Sequence, residues 1–190
     1  MRAVRLLVLG TLSTHGPMYG HQIRRVAEMI NVEAWSEIRP GSLYHALHQL
    51  EAEGLIEAVR TERQGRLPAR TVYAVTAEGS TELHVLRERG LREIHSPRDP
   101  FDVALWVAVG LPAAELEFIL RQRLEAIHLQ LAALVRERKQ GSENGSLPSV
   151  GLILMRHGEV RLEAEIRWHT ELLQRLPELA EGQYNSSPQA

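Results

Sequence analysis

Arg39-Pro40-Gly41-Ser42-Leu43-Tyr44-His45-Ala46-Leu47-His48-Gln49-Leu50-Glu51-Ala52-Glu53-Gly54-Leu55-Ile56 decides how the rest of the chain reads. The spacing predicts a short helix with both ends marked. Pro40 stands in the first turn, where a missing N–H costs no helical hydrogen bond. Gly54 follows the last periodic residue, where a left-handed C-cap is favoured. Leu43, Leu47 and Leu50, with Ala46 beside them, form one buried stripe. The opposite face carries His45, His48 and Gln49, flanked by Ser42 and Tyr44. These side chains form neutral hydrogen bonds, and the helix start carries no acid. Such a face suits a helix whose first turns meet base edges and phosphates in a DNA major groove. It equally suits an ordinary solvated face, so the neighbouring residues have to decide.

Downstream of Gly54 the period changes. Leu55–Arg60 and Arg70–Val75 have the β-branched composition of strands. The segment between them, Thr61-Glu62-Arg63-Gln64-Gly65-Arg66-Leu67-Pro68-Ala69, reads as a polar hairpin tip that carries arginine. Thr76 is placed to cap a further helix with Glu78 in its first turn. Upstream, residues 3–13 form a nearly all-apolar helix, and His15-Gly16-Pro17 is a turn. A second helix follows, with Ile23, Val26, Ala27 and Ile30 on one face and Arg24, Arg25 and Glu28 on the other. Residues 31–38 are a connection containing Trp35. Three helices followed by a basic-tipped hairpin make a winged helix-turn-helix.

The second half is helical. Ser96-Pro97-Arg98-Asp99-Pro100 is a hinge, and Phe101 to Val109 is a short apolar helix containing Trp106. A long helix from Pro112 repeats Leu116, Leu120, Leu124, Ile127, Leu131 and Leu134. After a polar loop from Gly141 to Ser149, a last helix is expected to stop at Pro177. Its seam is Leu152, Met155, Leu162, Ile166, Leu173 and Leu176, with Glu159 and His169 at the two remaining positions. Near-heptad spacing of this kind predicts packing of the two helices on each other or on a second chain. The fold class is therefore mainly α with a small β-hairpin wing. Residues 1–95 are expected to be the winged-helix domain, 96–177 a helical dimerisation and effector domain, and 178–190 a disordered tail.

Composition narrows the function. The 190 residues carry a formal net charge of −2. Charge is uneven: residues 1–76 hold 9 Arg against 7 acids, residues 77–190 hold 13 Lys+Arg against 17 acids. A mildly basic half joined to an acidic one fits a DNA-binding module plus an interaction module. With no cysteine, disulfides, thiolate nucleophiles and cysteine zinc sites are excluded. Arg2, Arg5 and Leu6–Leu9 hint at a signal peptide, but no small-residue cleavage site follows. The run Val103 to Leu111 is too short to span a bilayer. The expectation is a cytoplasmic protein with no membrane partner.

The order Leu6–Leu12, Gly16-Pro17-Met18-Tyr19-Gly20-His21-Gln22-Ile23, Gly41-Ser42-Leu43-Tyr44-His45-Ala46-Leu47, Leu50–Ile56, Gly65-Arg66, Tyr73 and Thr76-Ala77-Glu78-Gly79 resembles the PadR family of bacterial transcriptional regulators. The resemblance covers about residues 4–90. It implies a winged-helix repressor that dimerises through its helical second half and responds to small aromatic or drug-like effectors. The family often has Pro where this chain has His45, and Tyr where it has His21.

On these grounds the candidate DNA contacts are Tyr19, Gln22, Ser42, Tyr44, His45, His48, Gln49, Arg66 and Arg70. Tyr44 and Ser42 are expected near phosphates or base edges at a helix start; local packing and capping are their plainer roles. Gln49 can pair bidentately with adenine. Arg66 follows the wing glycine and is placed to enter a narrow minor groove. Arg63 is a further candidate phosphate contact, as is Arg70. Tyr19 and Gln22 open a helix expected to cross the backbone, and Arg24 and Arg25 either join them or stay solvated. Trp106, Trp168 and His169 are candidates for an effector pocket or dimer interface, with burial in a core as the alternative for the tryptophans. If His169 is desolvated in the seam, its protonation would disturb the dimer.

No catalytic residue, metal or cofactor is expected. There is no phosphate-cradling glycine loop, nucleophile elbow or zinc-hydrolase helix motif. Glu125 with His128, and His45 with His48, lack the further ligands a metal requires. The partners expected are double-stranded operator DNA, a second copy of the chain and a small effector. The alternative functions are a protein-interaction adaptor built on the same fold and a histidine-dependent metal or catalytic protein.

Overall fold

A computed structural model describes residues 2–62, 70–94, 99–108 and 111–182. The chain divides into two compact units, residues 1–94 and 95–190.

In the first unit, α1 (Arg2–His15) is the central helix. Its Val4, Val8, Leu9 and Leu12 are buried, and it packs on α2 (Gly20–Met29), α4 (Pro40–Ala52) and α5 (Ala77–Arg92). The connection expected between the second and third helices contains a helical turn, α3 (Val32–Trp35). There the Trp35 indole N–H donates to the Ile30 carbonyl at 3.1 Å. Helix α4 ends as its sequence predicts. Gly54 has φ +73°, the left-handed value that favours glycine. The Leu55 N–H closes the last turn onto Leu50 O at 2.9 Å. Leu43, Ala46, Leu47 and Leu50 are all buried, in one core with Ile23, Ala27 and Ile56.

The hairpin strands are β2 (Ile56–Glu62) and β3 (Arg70–Val75), antiparallel, with a register shift between Ala58 and Arg60. A strand that the sequence did not announce, β1 (Met18–Tyr19), pairs with the other edge of β3, so the sheet order is β1-β3-β2. Thr76 caps α5 by accepting the Gly79 N–H at 3.0 Å.

The second unit contains α6 (Pro100–Ala108), α7 (Ala113–Glu143) and α8 (Ser149–Gly182). Helices α7 and α8 pack along each other. Leu116, Leu120, Ile127, Met155, Leu172 and Leu176 are buried between elements, as are both polar seam residues, Glu159 and His169. Two boundaries differ from the sequence reading. Helix α7 continues through Gly141 to Glu143, and Gly141 lies so close to Leu147 that a Cβ there would clash with that side chain. Helix α8 does not stop at Pro177. Proline removes one helical hydrogen bond, but Leu172 and Leu176 just before it are buried in the core and hold the chain on course.

Candidate nucleic-acid interface

The sheet register brings together side chains that lie far apart in sequence. Tyr19 pairs with Val72 across β1 and β3, which makes Arg70 its diagonal neighbour. The Arg70 guanidinium carbon stands 5.1 Å from the Tyr19 ring centroid, a cation–π distance. Beside them the start of α2 meets the first turns of α4. Gly20 allows this close approach: a Cβ there would sit 2.9 Å from Tyr44 Cε1 and 3.1 Å from Leu47 Cδ1.

The result is a cleft of about 240 Å³. Its walls are Tyr19, Gly20 and His21 from β1 and α2, Tyr44, Leu47 and His48 from α4, and Arg70, Thr71 and Tyr73 from β3. Four sequence candidates, Tyr19, Tyr44, His48 and Arg70, therefore share one site. Burial, with the Glu51 carboxylate beside it, pushes the Tyr73 phenol up from its ordinary value, so at neutral pH Tyr73 presents an O–H and not a phenolate. Among the described residues the cleft is lined by phenols, imidazoles and one guanidinium, and the Glu51 carboxylate nearby is engaged with Tyr73. Chemically this is a set of donors for an anionic, hydrogen-bond-accepting ligand.

The remaining candidates are placed differently. His45 is exposed one residue beyond Tyr44, and Gln49 is half-buried one turn further on; neither lines the cleft. The Ser42 hydroxyl donates to the Arg39 carbonyl at 2.6 Å, so its proton is engaged locally and only its oxygen is free to accept. Gln22 uses its amide oxygen to accept the Tyr19 N–H at 3.1 Å. That bond caps α2 and leaves the amide NH2 for a ligand. Arg63 and Arg66 lie outside the described residues. Sequence reasoning left Gly20, Thr71 and Tyr73 off the site, and placed His21 near the expected DNA face without counting it among the contacts. The run Met18-Tyr19-Gly20-His21 held the signal for Gly20 and His21; Thr71 and Tyr73 become legible only through the strand register.

One acid of α4 is paired with a cation. Glu53, at the C-terminal end of α4, accepts both Arg5 guanidinium nitrogens at 2.6 and 2.5 Å. This hydrogen bonding holds the carboxyl below its usual range.

In the second unit His169 is fully buried and satisfied. Its Nδ1 lies 2.8 Å from the Glu165 carbonyl and its Nε2 lies 3.0 Å from Arg123 Nε. Arginine Nε only donates, so Nε2 accepts and Nδ1 carries the proton. Arg123 also reaches Asp99 at 2.8 Å and stacks 4.4 Å from the Phe101 ring. Glu159, equally buried, is held by Arg138 at 2.5 Å and Arg156 at 2.9 Å. Neither tryptophan belongs to the core: Trp106 is 82% exposed and Trp168 40%. Both sit on helix faces turned away from the α7–α8 seam. Among the described residues no group of three or more histidine or acidic side chains is placed to hold a metal. No described helix is long and apolar enough to cross a membrane.

Comparison with known proteins adds the following. Residues 8–85 match the model of the transcriptional regulator PadR-like family. Among solved structures, Bacillus subtilis PadR in complex with operator DNA is similar with a TM-score of 0.69 at 22% identity, covering 92% of this chain and 99% of that one. The same protein in complex with p-coumaric acid gives 0.64 at 20% identity, with 92% and 98% covered. The Vibrio cholerae virulence activator AphA gives 0.66 at 20% identity, with 93% and 99% covered. At these identities the likeness concerns the fold. No curated protein sequence matches the chain.

Proposed function

We propose, from the match of residues 8–85 to the transcriptional regulator PadR-like family, that the chain is a homodimeric DNA-binding transcriptional regulator of the cytoplasm, not an enzyme. The first unit is the DNA-binding domain and the second the dimerisation and effector domain. Residues 40–53 enter the major groove, and the wing, to which the sequence assigns Arg66, reaches the adjacent minor groove. The observation that carries this reading is the cleft that joins Tyr19, Tyr44, His48 and Arg70 across the recognition helix and the wing base. Such a cleft receives the sugar-phosphate backbone where it passes between groove and groove.

Dimerisation is supported by an outer stripe on α8. Val150, Ile153, His157, Val160, Ala164 and Trp168 recur at near-heptad spacing, apart from the buried seam. Val150 is 60% exposed and Ile153 68%. An apolar stripe of this length is best covered by a second copy. Two-fold symmetry then gives an inverted-repeat operator with half-sites about 34 Å, or a multiple, apart. Repression is the proposed mode. The solved relatives include one bound to p-coumaric acid; by analogy a small aromatic molecule acting on the helical unit is the proposed releasing signal. The adaptor reading has no feature of its own to match the cleft.

The test is a titration of the full chain on the DNA upstream of its own coding sequence, at two salt concentrations, with random competitor. A specific complex that weakens steeply with salt supports the reading. Binding no better than to competitor, by a folded dimer, would favour the adaptor.

A further inference from the structure

Among the described residues, permanent positive charge is scarce on α4 and in the cleft beside it. Helix α4 contains no lysine or arginine. Arg70 is the one arginine or lysine among the described residues lining the cleft. Duplex DNA presents one phosphate charge per ~1.7 Å of axis. What the face offers in addition is imidazole: His21 of α2 and His48 of α4 are both exposed and both line the cleft.

Resting on the DNA-binding reading above, we infer that His21 and His48 are proton-linked phosphate contacts, so that DNA binding takes up protons and strengthens as the solution is acidified from pH 8 to pH 6.

The charged and titratable groups around them set the sign. From β3 come Arg70 and Tyr73, from β1 Tyr19, and from α4 Tyr44. On their own helices the neighbours are Arg24 and Arg25, with Arg24 paired to Glu28 at 2.9 Å, and Glu51, which hydrogen-bonds Tyr73. A phosphate entering the cleft favours the charged rings, because an anion within about 4–6 Å stabilises an imidazolium. Imidazole changes charge between pH 5 and 8, while phosphodiesters stay ionised throughout. The complex therefore binds more protons than the free protein, and lower pH favours the complex. Arginine at the same two positions would give a permanent charge; histidine makes the charge conditional on pH.

Two readouts follow. An imidazole that prefers its charged form tenfold more strongly in the complex changes affinity by about tenfold across its titration. Each imidazolium that neutralises a phosphate also steepens the salt dependence of log K by about 0.9. The experiment measures affinity by fluorescence anisotropy for a labelled fragment from upstream of the protein's own coding sequence. It uses the full chain at pH 8 and pH 6, at matched ionic strength, as wild type and as H21Q, H48Q and the double variant. Both side chains are exposed, and glutamine keeps hydrogen bonding without the titration. The expected result is wild-type binding tighter at pH 6 by up to about tenfold for each of the two imidazoles, a steeper salt slope there, and loss of most of both effects in the double variant. A wild-type affinity independent of pH, or a pH effect retained in the double variant, overturns the assignment while leaving DNA binding in place. Failure of the wild type to bind above random competitor at either pH overturns the DNA reading itself.

Discussion

Arg70 stacks on Tyr19, with 5.1 Å between guanidinium carbon and ring centroid, and so ties the base of the wing to the residue that opens α2. The contact exists because β1 pairs with β3 in the register Tyr19↔Val72. It holds the Arg70 guanidinium in place before any ligand arrives. Pre-ordering of this kind lowers the entropic cost of binding.

Replacing Arg70 with Ala is expected to weaken binding to specific and random DNA alike and to lower the salt slope by about one. The fold should survive, since a half-buried cation–π contact contributes only about 0.5–2 kcal/mol. Arg70→Lys keeps the charge but loses the planar stack, and is expected to fall between the two. Salt titrations of the three proteins check this; an unchanged slope for R70A would take Arg70 off the phosphate backbone.

Gln49→Ala should act on discrimination. The affinity gap between operator and random DNA is expected to narrow by about 1–3 kcal/mol if Gln49 reads a base. Equal losses on both DNAs in a competition assay would make it a backbone contact or a fold residue. Arg66→Ala, in contrast, is expected to weaken operator binding without unfolding the protein. Unchanged affinity would remove the wing from the interface.

Gly79 is the most tightly enclosed of the described glycines of the first unit. A Cβ there would lie 1.9 Å from the Leu55 carbonyl oxygen, and backbone cannot swing aside as a side chain does. That carbonyl also accepts the Thr76 N–H at 3.1 Å. Gly79→Ala is expected to destabilise the first unit by about 3 kcal/mol, read as a lower denaturation midpoint. An unchanged midpoint would contradict the packing described.

Glu159 sets the acid limit of the second unit. Burial alone would raise its pKa, but hydrogen bonds from Arg138 and Arg156 outweigh burial and hold it below the usual carboxylate value. A carboxyl depressed in the folded state contributes stability at pH values above its unfolded value of about 4.3. That contribution is lost as pH falls through the lower folded value. Stability measured against pH should therefore be level near neutrality and fall below about pH 4. Glu159→Gln should cost about 2 kcal/mol at pH 7, since both arginines stay partly hydrated. It should also flatten the acid limb; an acid limb identical to that of the wild type would contradict this role.

Much of the fold is local chemistry and was legible. Pro40 and Gly54 bound α4, Thr76 caps α5, and the leucine stripes of α7 and α8 announce their seam. Strand β1 was not legible, because two residues carry no period and pair only where the edge of β3 is open. The members of the cleft could be named singly, but their convergence depends on that same strand register. Ser42 and Gln22 were read as donors to DNA; their local bonds to Arg39 and Tyr19 depend on rotamers that no spacing reveals. Pro177 signals a stop, yet the buried Leu172 and Leu176 beside it prevail. Trp106 has a core-like composition around it but lies exposed on α6, because helix period alone does not say which face finds a partner.

The central claim is that the face built from the start of α2, the first turns of α4 and the base of β3 lies on DNA. Hydrogen exchange of the full chain, with and without its upstream DNA, tests it most directly. The account predicts slower exchange on DNA addition in peptides spanning residues 18–24, 40–50 and 70–73. Protection confined to the second unit, or none at a DNA concentration that saturates binding, would contradict it.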